Sequence, residues 1–246
     1  MNFDLNQWVL AGLAALVVGL SKTGVPGVSM LSVAIFANLL PTKQASGFVL
    51  PLLLCGDLVA VFSYRRHTEW KHLRRLFLWT GAGVVLGALA LGRIDDRQAR
   101  LLVGGIVVAL VGLHLWRKRG AGSGNVAEHG VWFAPMIGVL AGFTTLVANA
   151  AGPLMAIYLL AMRLPKLAFI GTSAVFFLLL NLFKVPFMVG LGLITPESVR
   201  FNLVLVPAVL AGALVGRWAL PRVSQTWFER LALLLSAAAG LKLLLG

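Results

Sequence analysis

Charge is scarce in this sequence and cysteine is nearly missing. Only 12% of its 246 residues are charged, about half the share found in a soluble globular chain. The single cysteine, Cys55, excludes an internal disulfide and a cysteine-based zinc cluster. No HExxH pair, phosphate-binding Gly-Lys loop or GxSxG elbow occurs, and Gly27-Val28-Ser29-Met30 lacks the second glycine such an elbow needs. His67 and His72 are five apart in a basic stretch and read as solvated rather than as a metal pair. With no nucleophile–base set and no metal-ligand set, neither an enzyme nor a cofactor is expected. The short alternating segments of a transmembrane β-barrel are also absent. The N-terminus has no basic n-region and no small-residue cleavage site, so Leu5–Leu20 reads as a retained segment.

What the chain does have is apolar length. Hydrophobic residues make up 59% of it, in runs of about membrane-spanning length that recur from end to end. The fold class is therefore an all-α polytopic membrane protein. The formal net charge of +13 comes from bases clustered between apolar runs. That is the positive-inside arrangement rather than a nucleic-acid face. The expected partners are membrane lipids and a small solute, with no nucleic acid; self-association is left open.

Two stretches interrupt the runs. Gly19 to Ser29 reads GLSKTGVPGVS, between the apolar runs Leu5–Leu20 and Met30–Leu40, and Gly142 to Pro153 reads GFTTLVANAAGP. Glycine and proline weaken a helix, and backbone groups freed at membrane depth need partners. Further helices are expected over Ala45–Tyr64, Leu76–Gly92, Leu101–Trp116, Trp132–Leu146, Leu154–Met162, Ala168–Leu193, Phe201–Trp218 and Leu231–Leu245. Residues 1–118 and 132–246 form two transmembrane repeats, joined by a polar linker over 119–131. Pro41, Gly47 and Asp57 match Pro165, Gly171 and Asn181 at an offset of 124. Glu69, Gly83, Gly87 and Gly112 match Glu197, Gly212, Gly216 and Gly240 at offsets of 128 to 129.

Placing Arg65–Arg75 and Arg117–Arg119 in the cytoplasm puts Arg93–Arg100 outside. If each interrupted segment enters and leaves on one side, Lys43 lies outside, while Arg163–Lys166 and Arg222–Arg230 lie inside. The halves are then inverted repeats, each with a broken helix or helix hairpin plus about three transmembrane helices, the build of secondary transporters. If each interrupted segment crosses once, the halves are parallel instead; inversion is the favoured reading.

Lys22 is the sharpest candidate for chemistry, because an intramembrane lysine marks a pathway or a paired partner. Helix N-termini at the breaks would add N–H groups and partial positive charge, favouring an anion. The competing reading is that Lys22 snorkels to an interface. Thr23, Ser29, Thr144, Thr145 and Asn149 could bind substrate oxygens or satisfy freed backbone. Gly24, Gly27 and Gly152 would permit turns and close packing or offer their amides, and Thr172 and Ser173 would cap a helix or bind. Asp57 is a candidate proton-coupling group, or an ion-pair partner of Lys22 or Lys184. Asn181 and Lys184 are candidates for lining the path.

The run Gly19-Leu20-Ser21-Lys22-Thr23-Gly24 with Gly27, then Pro41, Ala45 and Gly47, resembles the TauE/SafE family of sulfite exporter-like permeases. So do Tyr64-Arg65-Arg66 followed by Trp70, Gly83 with Gly87, Gly138, Gly142, Gly152-Pro153, and Gly171-Thr172-Ser173-Ala174. Thr23 stands where the family has a glycine after the lysine, and Ala151 stands in place of one of the paired glycines before Pro153. The resemblance implies a multi-pass transporter in the bacterial cytoplasmic (inner) membrane for sulfite, sulfoacetate or other organosulfonates, usually exporting them. The residues themselves say only "anion". An alternating-access carrier is expected; the alternatives are an anion channel of the same architecture and a transporter of a carboxylate-type anion.

Overall fold

The apolar runs fold as helices, and no strand occurs among the described residues. The computed structural model describes residues 4–24, 28, 32, 35, 36, 39, 40, 42–91, 93–120 and 132–245. The helices are α1 (Leu5–Thr23), α2 (Thr42–Tyr64), α3 (Trp70–Leu91), α4 (Asp96–Gly120), α5 (Phe133–Ala148), α6 (Ala151–Ala161), α7 (Lys166–Gly190), α8 (Pro196–Ala219) and α9 (Gln225–Leu245). Among the described residues, six helical segments are long and apolar enough to cross a membrane, whereas α5 and α6 are shorter.

Local sequence sets several starts. Asp4 accepts from the Gln7 N–H at 2.7 Å while the Gln7 side chain accepts from the Asp4 N–H at 3.0 Å, a reciprocal cap for α1. Asp95 and Gln98 do the same for α4, so it begins at Asp96 rather than Leu101. Helix α3 also begins earlier than the apolar run, at Trp70 instead of Leu76. Lysine and arginine are good helix formers, and Lys71–Arg75 joins the helix although it is basic.

The chain forms two compact units, and each draws on both sides of the polar linker. The first comprises Met1–Thr68 and Ile170–Ser224, the second Glu69–Phe169 and Gln225–Gly246.

In the first unit α1 and α8 run parallel, backbone against backbone. Trp8 stacks on Phe201 at 5.3 Å, and further along Gly19 and Gly212 meet the opposing chain. A Cβ on Gly19 would lie 1.9 Å from the Val209 carbonyl oxygen, and one on Gly212 equally close to that of Leu16. Small residues allow such approach where lipid provides no hydrophobic drive between helices. Helix α2 also runs parallel to α8, so it starts at the end of the layer where α1 starts. Pro51 lies inside α2 and removes a helical donor. Beside it, Asn202 of α8 donates to the Phe48 carbonyl at 2.8 Å, and Tyr64 donates to the Thr23 carbonyl at 3.1 Å. Helix α7 runs the other way along α2, with Leu193 against Gly47 and Gly171 against Tyr64.

The second unit contains the same crossing. A Cβ on Gly142 of α5 or on Gly83 of α3 would lie 2.0 Å from the Thr80 or Val139 carbonyl oxygen. These four residues correspond to Gly19, Gly212, Val209 and Leu16 at offsets of 123 (α1 to α5) and 129 (α3 to α8). Helices α5 and α6 fold back as a hairpin. Asn149 ends α5 in the left-handed conformation, with φ 54°, and Phe133 stacks on Tyr158 at 5.8 Å. The interruption at Gly142–Pro153 is therefore a reversal, not a kink in one crossing. Helix α4 packs on α9 through Gly104 and Gly240.

Substituting Gly19→Ala is expected to cost ~1–3 kcal/mol of stability by overpacking. Gly12→Ala is the control, because nothing lies within 4 Å of a Cβ there. Thermal unfolding in detergent checks this: Gly19→Ala should lower the midpoint, and Gly12→Ala should leave it unchanged.

Candidate functional site

The α1–α8 crossing places the last turn of α1 against the middle of α2. Lys22 lies in that turn, where a cation is favoured by the helix dipole. Its stem runs over Gly56; a Cβ there would come 3.0 Å from the Lys22 Cγ. The missing side chain lets the ammonium reach the next residue of α2. Lys22 Nζ lies 2.7 Å from the Asp57 Oδ1, and Asn181 Nδ2 of α7 donates to the Asp57 Oδ2 at 2.6 Å. The ammonium also sits 4.6 Å from the centre of the Phe177 ring, a cation–π distance.

Phe177, Asn181 and Lys184 share one face of α7, at positions i, i+4 and i+7. Lys184 is completely buried, and the charges of Lys22 and Asp57 act on it. Asp57 is also completely buried, and the Lys22 side chain is 10% exposed. Lys22 is thus turned into the protein and does not snorkel. An isolated carboxylate could not be buried at acceptable cost, but here one oxygen pairs with the Lys22 ammonium and the other accepts from Asn181.

The other candidate residues lie elsewhere. The Thr23 hydroxyl is shared between the Ala213 carbonyl at 2.7 Å and the Gly19 carbonyl at 3.3 Å. Gly24 packs on Gly216, where a Cβ would come 2.9 Å from the neighbouring Cα. Both residues therefore seat the end of α1 on α8. Thr172 and Ser173 are buried on α7, next to Gly171 and nine and eight residues from Asn181. Thr144 donates to the Ala141 carbonyl at 3.3 Å. Asn149 and Gly152 belong to the hairpin of the second unit. Gly27 and Ser29 lie outside the described residues.

Sequence reasoning missed one pair. His72 is half-buried on α3 instead of solvated, and its Nδ1 lies 3.2 Å from the hydroxyl of the buried Tyr158. The available signal was tyrosine itself. The chain has two tyrosines, and both are buried with their hydroxyls hydrogen-bonded. Among the described residues, no group of three or more His, Cys, Asp or Glu is placed to hold a metal ion.

Long apolar helices and a buried ionic cluster define a multi-pass helical membrane protein. The sequence model described as Sulfite exporter TauE/SafE matches residues 11–243. The chain belongs to that family, a family of membrane transporters for sulfite and related anions, and it is a multi-pass protein of the inner membrane. Neither a curated protein nor a solved structure gives a significant match.

Removing one partner of a buried ion pair leaves the other charge uncompensated, at a cost of about 3–5 kcal/mol. Lys22→Met should therefore lower the unfolding midpoint in detergent sharply. Lys22→Met/Asp57→Asn should recover most of the loss. A double variant no more stable than Lys22→Met would mean that the pair does not stabilise this unit.

Proposed function

We propose that this protein is a secondary transporter that moves a small oxyanion, sulfite or an organosulfonate, by alternating access, in the export direction. The observation that carries the reading is the buried Lys22–Asp57 pair with its Asn181 donor, and with Lys184 buried on the same face of α7 as Asn181. An intramembrane ionisable cluster of this kind is where a transporter binds its cargo. The carboxylate occupies the ammonium in the absence of substrate, and an oxyanion of similar shape takes its place. Protonation of Asp57 releases Lys22, so Asp57 is the proton-coupling group. Asn181 and Lys184 line the path from α7. Thr23 and Gly24 hold Lys22 in position by seating the end of α1 on α8. Thr172 and Ser173 continue the substrate path along α7, and Asn149 and Gly152 hold the corresponding break.

The two repeats, 1–118 and 132–246, are inverted. Matching α1–α8 and α3–α5 crossings support the repeat, and the α5–α6 hairpin supports an interrupted segment that enters and leaves on one side. Interrupted helices in inverted repeats allow rocking about a fixed site.

Counterflow in proteoliposomes tests the reading. Preloaded vesicles should take up labelled sulfite or sulfoacetate saturably, and Lys22→Ala should reduce the initial rate at least about tenfold, as expected when a charge-assisted contact worth ~1.5–3 kcal/mol is lost. Asp57→Asn should abolish stimulation by an imposed pH gradient. Unsaturable flux, or full activity in Lys22→Ala, would overturn the reading.

A further inference from the structure

Helix α3 of the second unit carries different residues on its two opposite faces. On one, Leu76, Thr80 and Val84 are buried, and Gly83 meets the α5 backbone. At helical spacing the other face reads Lys71, Arg74 and Arg75, then Leu78, Val85 and Leu86, all of them exposed. It is basic in its first two turns and apolar beyond. Arg75 and Val85 are ten residues apart, ~15 Å along a helix, which is half of the ~30 Å hydrocarbon core. The apolar part of the face therefore has the depth of one leaflet, with the bases at headgroup level. Trp79 flanks the boundary, 44% exposed, where an indole suits the interface.

These bases stand against the helix dipole. Lys22, Arg217 and Lys242 occupy last turns, where the partial negative charge favours a cation. Lys71, Arg74 and Arg75 instead follow the start of a helix with no acid in its first turn. Lys71 is three and four residues from the two arginines, so the like charges also repel. A phosphate among them offsets both costs. We infer that this face of α3 binds an anionic phospholipid, its phosphate held by Lys71, Arg74 and Arg75 and its acyl chains lying along Leu78, Val85 and Leu86. A free phosphate or an acidic peptide would use the bases and leave the apolar half of the face bare. A zwitterionic lipid would cover the apolar half but bring a cation of its own to the bases. An anionic lipid matches both halves, and it is a ligand of the second unit, separate from the Lys22–Asp57 pair of the first.

The test titrates the whole protein in detergent with phosphatidylglycerol or with phosphatidylcholine of the same chains, and native mass spectrometry measures the affinity of the first lipid bound. Phosphatidylglycerol should bind at least about tenfold more tightly, since each base near an anionic headgroup contributes roughly fivefold. Lys71→Gln/Arg74→Gln/Arg75→Gln should reduce that preference to at most about twofold. Arg97→Gln/Arg100→Gln is the control, because these arginines stand beside Asp95 and Asp96 at the start of α4, and it should leave the preference intact. Leu78→Asn should weaken both lipids, which tests the apolar half even if the triple variant does not fold. Inorganic phosphate at the lipid's concentration should displace neither. Equal affinity for the two lipids, a preference that survives the triple variant or is lost in the α4 control, unchanged binding in Leu78→Asn, or displacement by phosphate would overturn the inference.

Discussion

A carboxylate buried among apolar helices must be neutralised, and this constraint organises the first unit. Asp57 has no exposed surface, and water cannot stabilise its charge. Its two oxygens are instead met by an ammonium from α1 and an amide from α7. Each contact needs its helix within a few tenths of an ångström of the right place. The α1–α8 crossing through Gly19 and Gly212 sets the position of Lys22, and Gly56 leaves room for its stem. Thr23, bonded to Ala213, and Tyr64, bonded to the Thr23 carbonyl, hold the end of α1 in register. The glycines, the threonine and the tyrosine therefore serve the ion pair although none of them touches the carboxylate.

The second unit is built on the same crossing. The position equivalent to Lys22 is Thr145 at the offset of 123, a buried hydroxyl. Asn181 is the equivalent of Asp57, and these two equivalent residues are hydrogen-bonded to each other within the first unit. The Gly19–Gly212 and Gly83–Gly142 crossings therefore share a scaffold of small residues, and the Lys22–Asp57 pair lies in the first unit. Glycine-mediated crossings depend on small side chains and not on which residues fill a neighbouring site.

Much of this was legible in the sequence, for physical reasons that can be named. Runs of apolar residues mark helices because lipid demands internally satisfied backbone, and the glycine spacing pointed to close crossings. The Asn149–Ala150 reversal was visible as a break, since Asn tolerates a left-handed conformation and Pro153 suits a helix start. Lys22 and Asp57 stood out because charge is rare in such runs. The register of α2 against α7, which brings Asn181 rather than a neighbour onto Asp57, depends on packing and left no one-dimensional trace. Nor did the make-up of the two compact units, each of which draws on both sides of the polar linker. Hydropathy also misjudged Lys71–Arg75 and His72: a basic stretch can be helical, and an imidazole can be half-buried when a phenol such as Tyr158 meets it.

The central claim is that the Lys22 ammonium exchanges its carboxylate for a transported oxyanion. The most direct measurement is a cryo-electron microscopy structure with a heavy-atom-labelled sulfonate, such as an iodinated benzenesulfonate, bound to the protein in nanodiscs. The account predicts a sulfonate oxygen roughly 3 Å from the Lys22 Nζ, with the Lys22–Asp57 distance longer than in the unliganded protein. A sulfonate bound elsewhere, with that ion pair still closed, would contradict it.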